Sequence, residues 1–231
     1  MNAGTTVIIP ARGGSSRIPG KNIRDFNSHP MIHWPITAAL GSRGVDSVVV
    51  STDSEEIAGI ARQAGASVPF MRPSRLADAH AGTAPVVVHA LEEMAIADDA
   101  MVACVYPTAA VTAAIIDEAI ALSVSHPEDF VITVGRHRSP WERSLTQDAT
   151  GMMALENAVA LHARTQDLPQ RFFDAGKIYV AHAHTWRERD TMMAAAFVPL
   201  LVPDWASVDM DEPEDWPIAE ALHRAFVLTV R

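Results

Sequence analysis

Val7-Ile8-Ile9-Pro10-Ala11-Arg12-Gly13-Gly14-Ser15-Ser16-Arg17-Ile18-Pro19-Gly20-Lys21-Asn22 reads as a short apolar strand running straight into a glycine-rich, basic loop. In an open α/β sheet such a loop lies at the carboxyl end of its strand, where ligands bind. Gly13 and Gly14 permit close backbone approach, and their N–H groups can donate to phosphate oxygens. Arg12 and Lys21 supply the charge, and Lys21 is one of only two lysines in the chain. Spacing separates this loop from two familiar ones. The dinucleotide pattern Gly-x-Gly-x-x-Gly is absent. A P-loop has four residues between its first glycine and Gly-Lys-Ser/Thr, whereas here five separate Gly14 from Gly20 and Asn22 follows Lys21.

Working outward, β-branched runs at 5–9, 47–51, 101–106 and 130–134 alternate with helix-like apolar spacing at 30–40, 54–64, 83–96 and 112–125. Strands alternating with helices predict a parallel sheet within a Rossmann-like three-layer α/β/α sandwich. The rhythm breaks after Gly135. Residues 136–174 turn polar and irregular, with possible short strands at 144–147 and 152–155, and read as an inserted arm in a single domain spanning 1–231. Strand-like text resumes at 177–181 and 197–202, and a helix is expected over 213–226.

With 231 residues and 48% hydrophobic content, the chain can bury a substantial core. A formal charge of −10 with only 18 Lys plus Arg argues against nucleic-acid binding, which needs a broad basic face. No apolar run approaches the roughly 18 residues of a membrane span. Met1-Asn2-Ala3-Gly4 lacks the charged start of a signal peptide, so the expected compartment is the cytoplasm. The single cysteine, Cys104, sits in an apolar run and reads as a buried, inert thiol. His182 and His184 lack a third ligand nearby and read as surface or packing residues rather than a metal pair. Ser51-Thr52-Asp53-Ser54 suits either a ligand contact or a helix start, and Trp141 either packing or sugar stacking.

The second signal is Val208-Asp209-Met210-Asp211-Glu212-Pro213-Glu214-Asp215-Trp216. Asp209 and Asp211 are two apart, so on an extended backbone both carboxylates face one way, as a Mg²⁺ site completed by substrate phosphates requires. The same text permits a plainer role, in which Asp211 caps the last helix with Glu214 and Pro213 in its first turn.

The opening motif, with Val48-Val49-Val50-Ser51-Thr52-Asp53-Ser54-Glu55-Glu56-Ile57-Ala58 and Met71-Arg72-Pro73, resembles the acylneuraminate cytidylyltransferases along nearly the full length. Thr83-Ala84-Pro85-Val86-Val87, Tyr106-Pro107-Thr108-Ala109, Gln166-Asp167-Leu168-Pro169 and Asp174-Ala175-Gly176 look most like the branch acting on pseudaminic acid. The resemblance implies a nucleotidyltransferase that joins CMP from CTP to an acidic nine-carbon sugar, with the sialic, legionaminic and 3-deoxy-octulosonic acids as alternative acceptors and a non-catalytic nucleotide-binding scaffold as the alternative of another class. It implies a nucleotide site of Ala11, Arg12, Gly13, Gly14, Ser15, Lys21, Asn22, Arg72 and Thr83, with Arg12, Lys21, Asp209 and Asp211 as the catalytic set. Asp209 and Asp211 match the ligands of a Mg²⁺ ion, and Tyr106, Arg164 and Gln166 fall where that family shapes its sugar site. The arm at 136–174 corresponds to a segment that embraces a second subunit, implying a homodimer. Three positions depart from the pattern: Ser16 stands where a lysine is common, with Arg17 as the compensating cation, Ala79 where a second acid often follows Asp78, and Ala110 where a turn residue is usual.

Overall fold

The computed structural model describes residues 4–15, 17–78, 81–156 and 161–228. Its centre is a six-stranded sheet. In chain order the strands are β1 (Thr5–Pro10), β4 (Val45–Ser51), β5 (Met101–Val105), β6 (Val131–Arg136), β9 (Phe172–His182) and β10 (Val198–Leu201), and in space they run β10-β6-β9-β5-β1-β4. Two-residue strands β2 (Asp25–Phe26) and β3 (His29–Pro30) form a tight hairpin whose turn places Asn27 and Ser28 at positive φ.

Period-2 alternation divides the core between the two faces of the sheet. Val7 and Ile9 point into one cluster with helices α1 (His33–Leu40), α2 (Glu55–Gln63) and α4 (Ala113–Ser125), through Ile36, Ile57 and Ile116. Ile8 points to the other face, where Val87 and Leu91 of α3 (Thr83–Glu93) and Trp186 of α5 (Ala183–Glu188) cover it. Central strands buried on both faces are apolar without interruption, which is why β1 and β5 read as continuous runs. The three-layer α/β expectation holds.

One strand departs from the parallel expectation. β9 runs antiparallel to both β5 and β6, while β1, β4 and β5 run parallel, as do β6 and β10. The connection explains it: β6 reaches β9 through the irregular stretch at 137–171, not through a crossover helix, and such a return can lay the next strand antiparallel. The stretch carries a small hairpin of β7 (Leu145–Gln147) and β8 (Met153–Leu155), near the short strands expected there. α3 stops at Glu93, short of the expected 96, with Ala95 at positive φ just beyond. The last helix, α6 (Asp215–His223), starts two residues later than expected and continues as a wider turn over Arg224–Leu228.

A third, smaller cluster lies beside the carboxyl edge of the sheet. Ile18, Phe26, Met31, Trp34, Ala109, Met210 and Trp216 pack there, joining the loop after β1 to the segment before α6. Gly135 near the end of β6 pairs with Phe173, and a Cβ on it would lie 2.4 Å from Phe173 Cζ and 2.8 Å from Ser207 Cβ. Gly135→Ala is therefore expected to lower stability by about 1–3 kcal/mol through overpacking, read as an earlier urea-unfolding midpoint.

Candidate active site

Each parallel strand delivers a loop to one edge of the sheet, and these loops enclose a cavity of about 600 Å³. Arg12, Ser15, Arg17, Lys21 and Asn22 line it from the loop after β1; Arg72, Asp78 and Thr83 from the β4–α3 side; Tyr106 and Thr108 from the loop after β5. β9 is antiparallel, so it brings its beginning to this edge, contributing Gly176, Lys177 and Tyr179. Asp209, Met210 and Asp211 close the rim.

The basic loop and the acidic segment meet directly. Lys21 Nζ donates to the Met210 carbonyl at 2.5 Å, and Arg17 Nη1 lies 2.9 Å from Asp211 Oδ2. Met210 is buried while Asp209 is exposed and Asp211 half-buried, so the extended backbone presents alternate carboxylates to the cavity as expected. The capping role for Asp211 does not materialise. Asp215 Oδ2 accepts from the amides of Asp211 and Glu212 instead, and those bonds hold its carboxyl below the usual range. Asp211 is left to face the cavity and Arg17. Arg17 thus spends its charge here on Asp211.

The glycines act differently from one another. The Gly13 amide donates to Asp53 Oδ1 at 2.8 Å, and a Cβ at Gly13 would lie 3.2 Å from Ser54 Cβ, so its bareness serves close packing against the start of α2. Gly14 has open space around it and neither glycine lines the cavity. Ala11 is fully buried, its amide donating to the Ser51 carbonyl, so it extends β1. Arg12 reaches across to donate to the Asp78 carbonyl at 2.7 Å, and Asn22 Nδ2 donates to the Arg12 carbonyl at 2.9 Å, which fixes the curve of the loop. Ser16 and Ala79 lie outside the described residues. Ala110 is half-buried, its amide donating to Thr108 Oγ1 at 3.2 Å.

Arg72 is buried and anchors the second wall. Its Nε donates to Ser51 Oγ at 3.1 Å, Nη2 to the Ser51 carbonyl and Nη1 to the Leu76 carbonyl at 3.5 Å. Ser51 thus serves Arg72, and Ser54 caps α2 by accepting from the Ile57 amide. Thr83, first residue of α3, hydrogen-bonds the Tyr106 hydroxyl. Burial pushes the Tyr106 phenol up to about 12, so it works as a neutral hydrogen-bonding group. Tyr179 donates to Asp174 Oδ2 at 2.7 Å, and burial together with that bond pushes its phenol up further.

Lys177 is the residue that strand-pattern reading passed over. Its side chain is 4% exposed, its ammonium donates to the Val208 carbonyl at 2.9 Å, and Asp209 Oδ1 lies 3.8 Å away. Burial pulls both lysines below the usual range, opposed by the charges of Asp209 and Asp211. The signal was available: the only other lysine of the chain sits inside the apolar strand Ile178-Tyr179-Val180-Ala181.

Arg164 and Gln166 lie elsewhere. Arg164 is exposed on the excursion after β6 and pairs with Asp167, Nε to Oδ2 at 2.6 Å, and Gln166 sits in the short turn Thr165–Asp167; neither lines the cavity of this chain. Cys104 is fully buried, with burial pushing its thiol up, as an inert packing residue requires. His182 and His184 stack and approach the Pro127 and Asp98 carbonyls, and no group of three metal-ligating side chains occurs among the described residues. Asp209 and Asp211 nonetheless suit one hard divalent ion, since two carboxylates leave its other positions to water and phosphate oxygens. No helix among the described residues is long and apolar enough to cross a membrane.

Residues 6–207 match a family model described as cytidylyltransferase. The chain is similar to the pseudaminic acid cytidylyltransferase of Campylobacter jejuni, 32% identical over 220 residues that cover 94% of this chain and 95% of the relative. It is similar to N-acylneuraminate cytidylyltransferase B of Danio rerio, 31% identical over 92% of this chain and 50% of the relative. A solved CMP:2-keto-3-deoxy-manno-octonic acid synthetase complexed with CTP shares the fold, with TM-score 0.70 at 17% identity over 96% of this chain and 99% of that one.

Arg72→Lys tests the second wall. An ammonium cannot reproduce the guanidinium fork on Ser51, so the change is expected to cost about 1–3 kcal/mol of stability in chemical denaturation, and calorimetric titration should show weaker nucleotide binding.

Proposed function

The chain belongs to the cytidylyltransferase family, and from that membership we propose that it is a nucleotidyltransferase that transfers CMP from CTP to a nonulosonic acid, pseudaminic acid first among them, with release of pyrophosphate. The observation that carries this reading is the convergence of a cationic loop and paired carboxylates on one cavity, with Lys21 bonded to the carbonyl between Asp209 and Asp211.

The acceptor's hydroxyl, on the carbon that bears its carboxylate, attacks the α-phosphorus, its proton passing to water or to a carboxylate of Asp209 or Asp211, and pyrophosphate leaves. Arg12, Ser15 and Lys21 line the side of the cavity where the β- and γ-phosphates belong, and the two cations offset charge on the leaving group. Arg72 stiffens the wall between β4 and α3, while Thr83 and Tyr106 set a neutral polar rim for the nucleoside or sugar. Asp209 and Asp211 are the proposed holders of Mg²⁺, which when bound supplies Lewis-acid charge to phosphate oxygens. Arg17 and Asp211 are both substantially exposed, so their pairing is cheap to exchange for a divalent ion. Catalysis is then mainly positioning and charge stabilisation, with no single side chain cast as the base.

A second copy of the chain is proposed as partner. The excursion after β6 exposes Leu145, Met152, Met153, Leu161 and Phe172, an apolar content suited to a subunit contact, which would also bring Arg164 and Gln166 toward the partner's sugar site. The cytoplasm, where CTP is made, is the proposed compartment.

Incubation with CTP, Mg²⁺ and separate nonulosonic acids, read as pyrophosphate release, ranks pseudaminic against sialic, legionaminic and 3-deoxy-octulosonic acids. CTP binding without turnover on any of them would favour a nucleotide-binding scaffold and refute the enzyme reading. Asp209→Ala is expected to cut pyrophosphate release roughly 100-fold or more while circular dichroism stays unchanged; full activity would remove Asp209 from the site.

A further inference from the structure

Lys177 carries more than the fold needs. An ammonium has three N–H donors, and here it is almost wholly buried, with the Val208 carbonyl in hydrogen-bond reach and Asp209 Oδ1 at 3.8 Å, beyond it. A buried cation with donors left over is costly unless something anionic completes it. A packing role alone would be served by any apolar side chain of that length. The residue lines the cavity, so the missing acceptor has a place from which to come.

The position says which anion. The triphosphate loop follows β1, and β9 lies one strand further from it than β5, on the side where the chain leaves β6 and returns. The other cations lining the cavity, Arg12, Arg17, Lys21 and Arg72, come from the loops after β1 and β4. The remaining cation faces the acceptor's side, next to Asp209. In a nonulosonic acid the carboxylate and the attacking hydroxyl share one carbon, so a carboxylate held beside Asp209 sets that hydroxyl close to the proposed metal carboxylates.

We infer that Lys177 is a substrate-binding residue that takes the carboxylate of the acceptor sugar through its spare N–H donors, making the site select acidic sugars and orienting the hydroxyl for attack. This rests on the reaction proposed above, and it assigns the contact to a residue of the same chain that lines the cavity.

Lys177→Met keeps the length and removes the charge. It is expected to raise KM for the sugar about 10- to 100-fold, the cost of one charged hydrogen bond, with KM for CTP unchanged. Lys177→Arg should recover part of the loss. The sugar's methyl ester supplies the decisive readout: esterification should cost the parent protein a similar factor and cost Lys177→Met almost nothing further, because both changes delete the same contact. Penalties that multiply, a rise in KM for CTP instead, or a fall in kcat with both KM values intact would overturn the assignment. Should Lys177→Met fail to fold, Lys177→Gln takes its place in the cycle, and an ester used by the parent protein as well as the acid overturns the assignment without any variant. A parent protein that turns over no acidic sugar defeats the proposed reaction itself; turnover with independent penalties defeats only the role of Lys177.

Discussion

The apolar cluster around Met210 holds one short backbone segment against the loop after β1, and two ammonium groups, Lys177 buried and Lys21 half-buried, sit on alternate carbonyls of that segment. Lys177 donates to Val208 and Lys21 to Met210. Packing leaves the side chains along this segment little choice: Met210 turns down among Ile18, Phe26 and Trp216, and Asp209 and Asp211 turn up into the cavity. The apolar cluster and the two hydrogen bonds act in series. The cluster fixes how near the segment comes to the loop after β1, and the Lys21 bond to the Met210 carbonyl ties that loop to it. Burial pulls both ammonium groups below their usual range, and the carboxylates of Asp209 and Asp211 pull the other way.

The reversed strand β9 is what makes this arrangement possible. A parallel strand at that place would deliver its last residues, not the stretch Gly176 to Tyr179, to the cavity edge. Running antiparallel between β5 and β6, β9 starts at the edge, and the Lys177 carbonyl there accepts from the Tyr106 amide while its side chain reaches Val208. One change of direction joins the loop after β5, the acidic segment and the excursion that follows β6.

The sequence was most legible where chemistry and chain order coincide. Val7 to Ile9 followed by Arg12, Gly13 and Lys21 named both the first strand and the loop it feeds, and the spacing of Asp209 and Asp211 named two carboxylates on one side of the chain. Much of what stayed hidden depended on contacts distant in sequence. Nothing near Gly13 says that Asp53, forty residues on, will claim its amide; at Asp211 the rival was local, since Asp215 four residues later accepts from the Asp211 and Glu212 amides and the spacing alone does not say which carboxylate takes the turn. The direction of β9 is set by an irregular connection whose apolar pattern is equally compatible with either direction. Lys177 was passed over despite its visible signal, because a lysine beside Ile178, Tyr179 and Val180 reads first as part of a strand, whereas its side chain is buried and lines the cavity.

The cavity combines bonds of two strengths, and their distribution follows what must move. Arg72 on Ser51 and Tyr179 on Asp174 are buried or nearly so, and breaking them would strand polar groups away from water. Arg17 on Asp211 is half-exposed, and pairs of that kind contribute roughly 0–1 kcal/mol. A polyphosphate and a divalent ion entering together could therefore displace Arg17 from Asp211 at small cost while the walls keep their shape. Arg17 would be released at the moment a new anion arrives beside it, so the charge that leaves the carboxylate becomes available to the phosphate. A rigid frame lined by exchangeable surface pairs allows highly charged ligands to bind without a matching loss of stability in the frame.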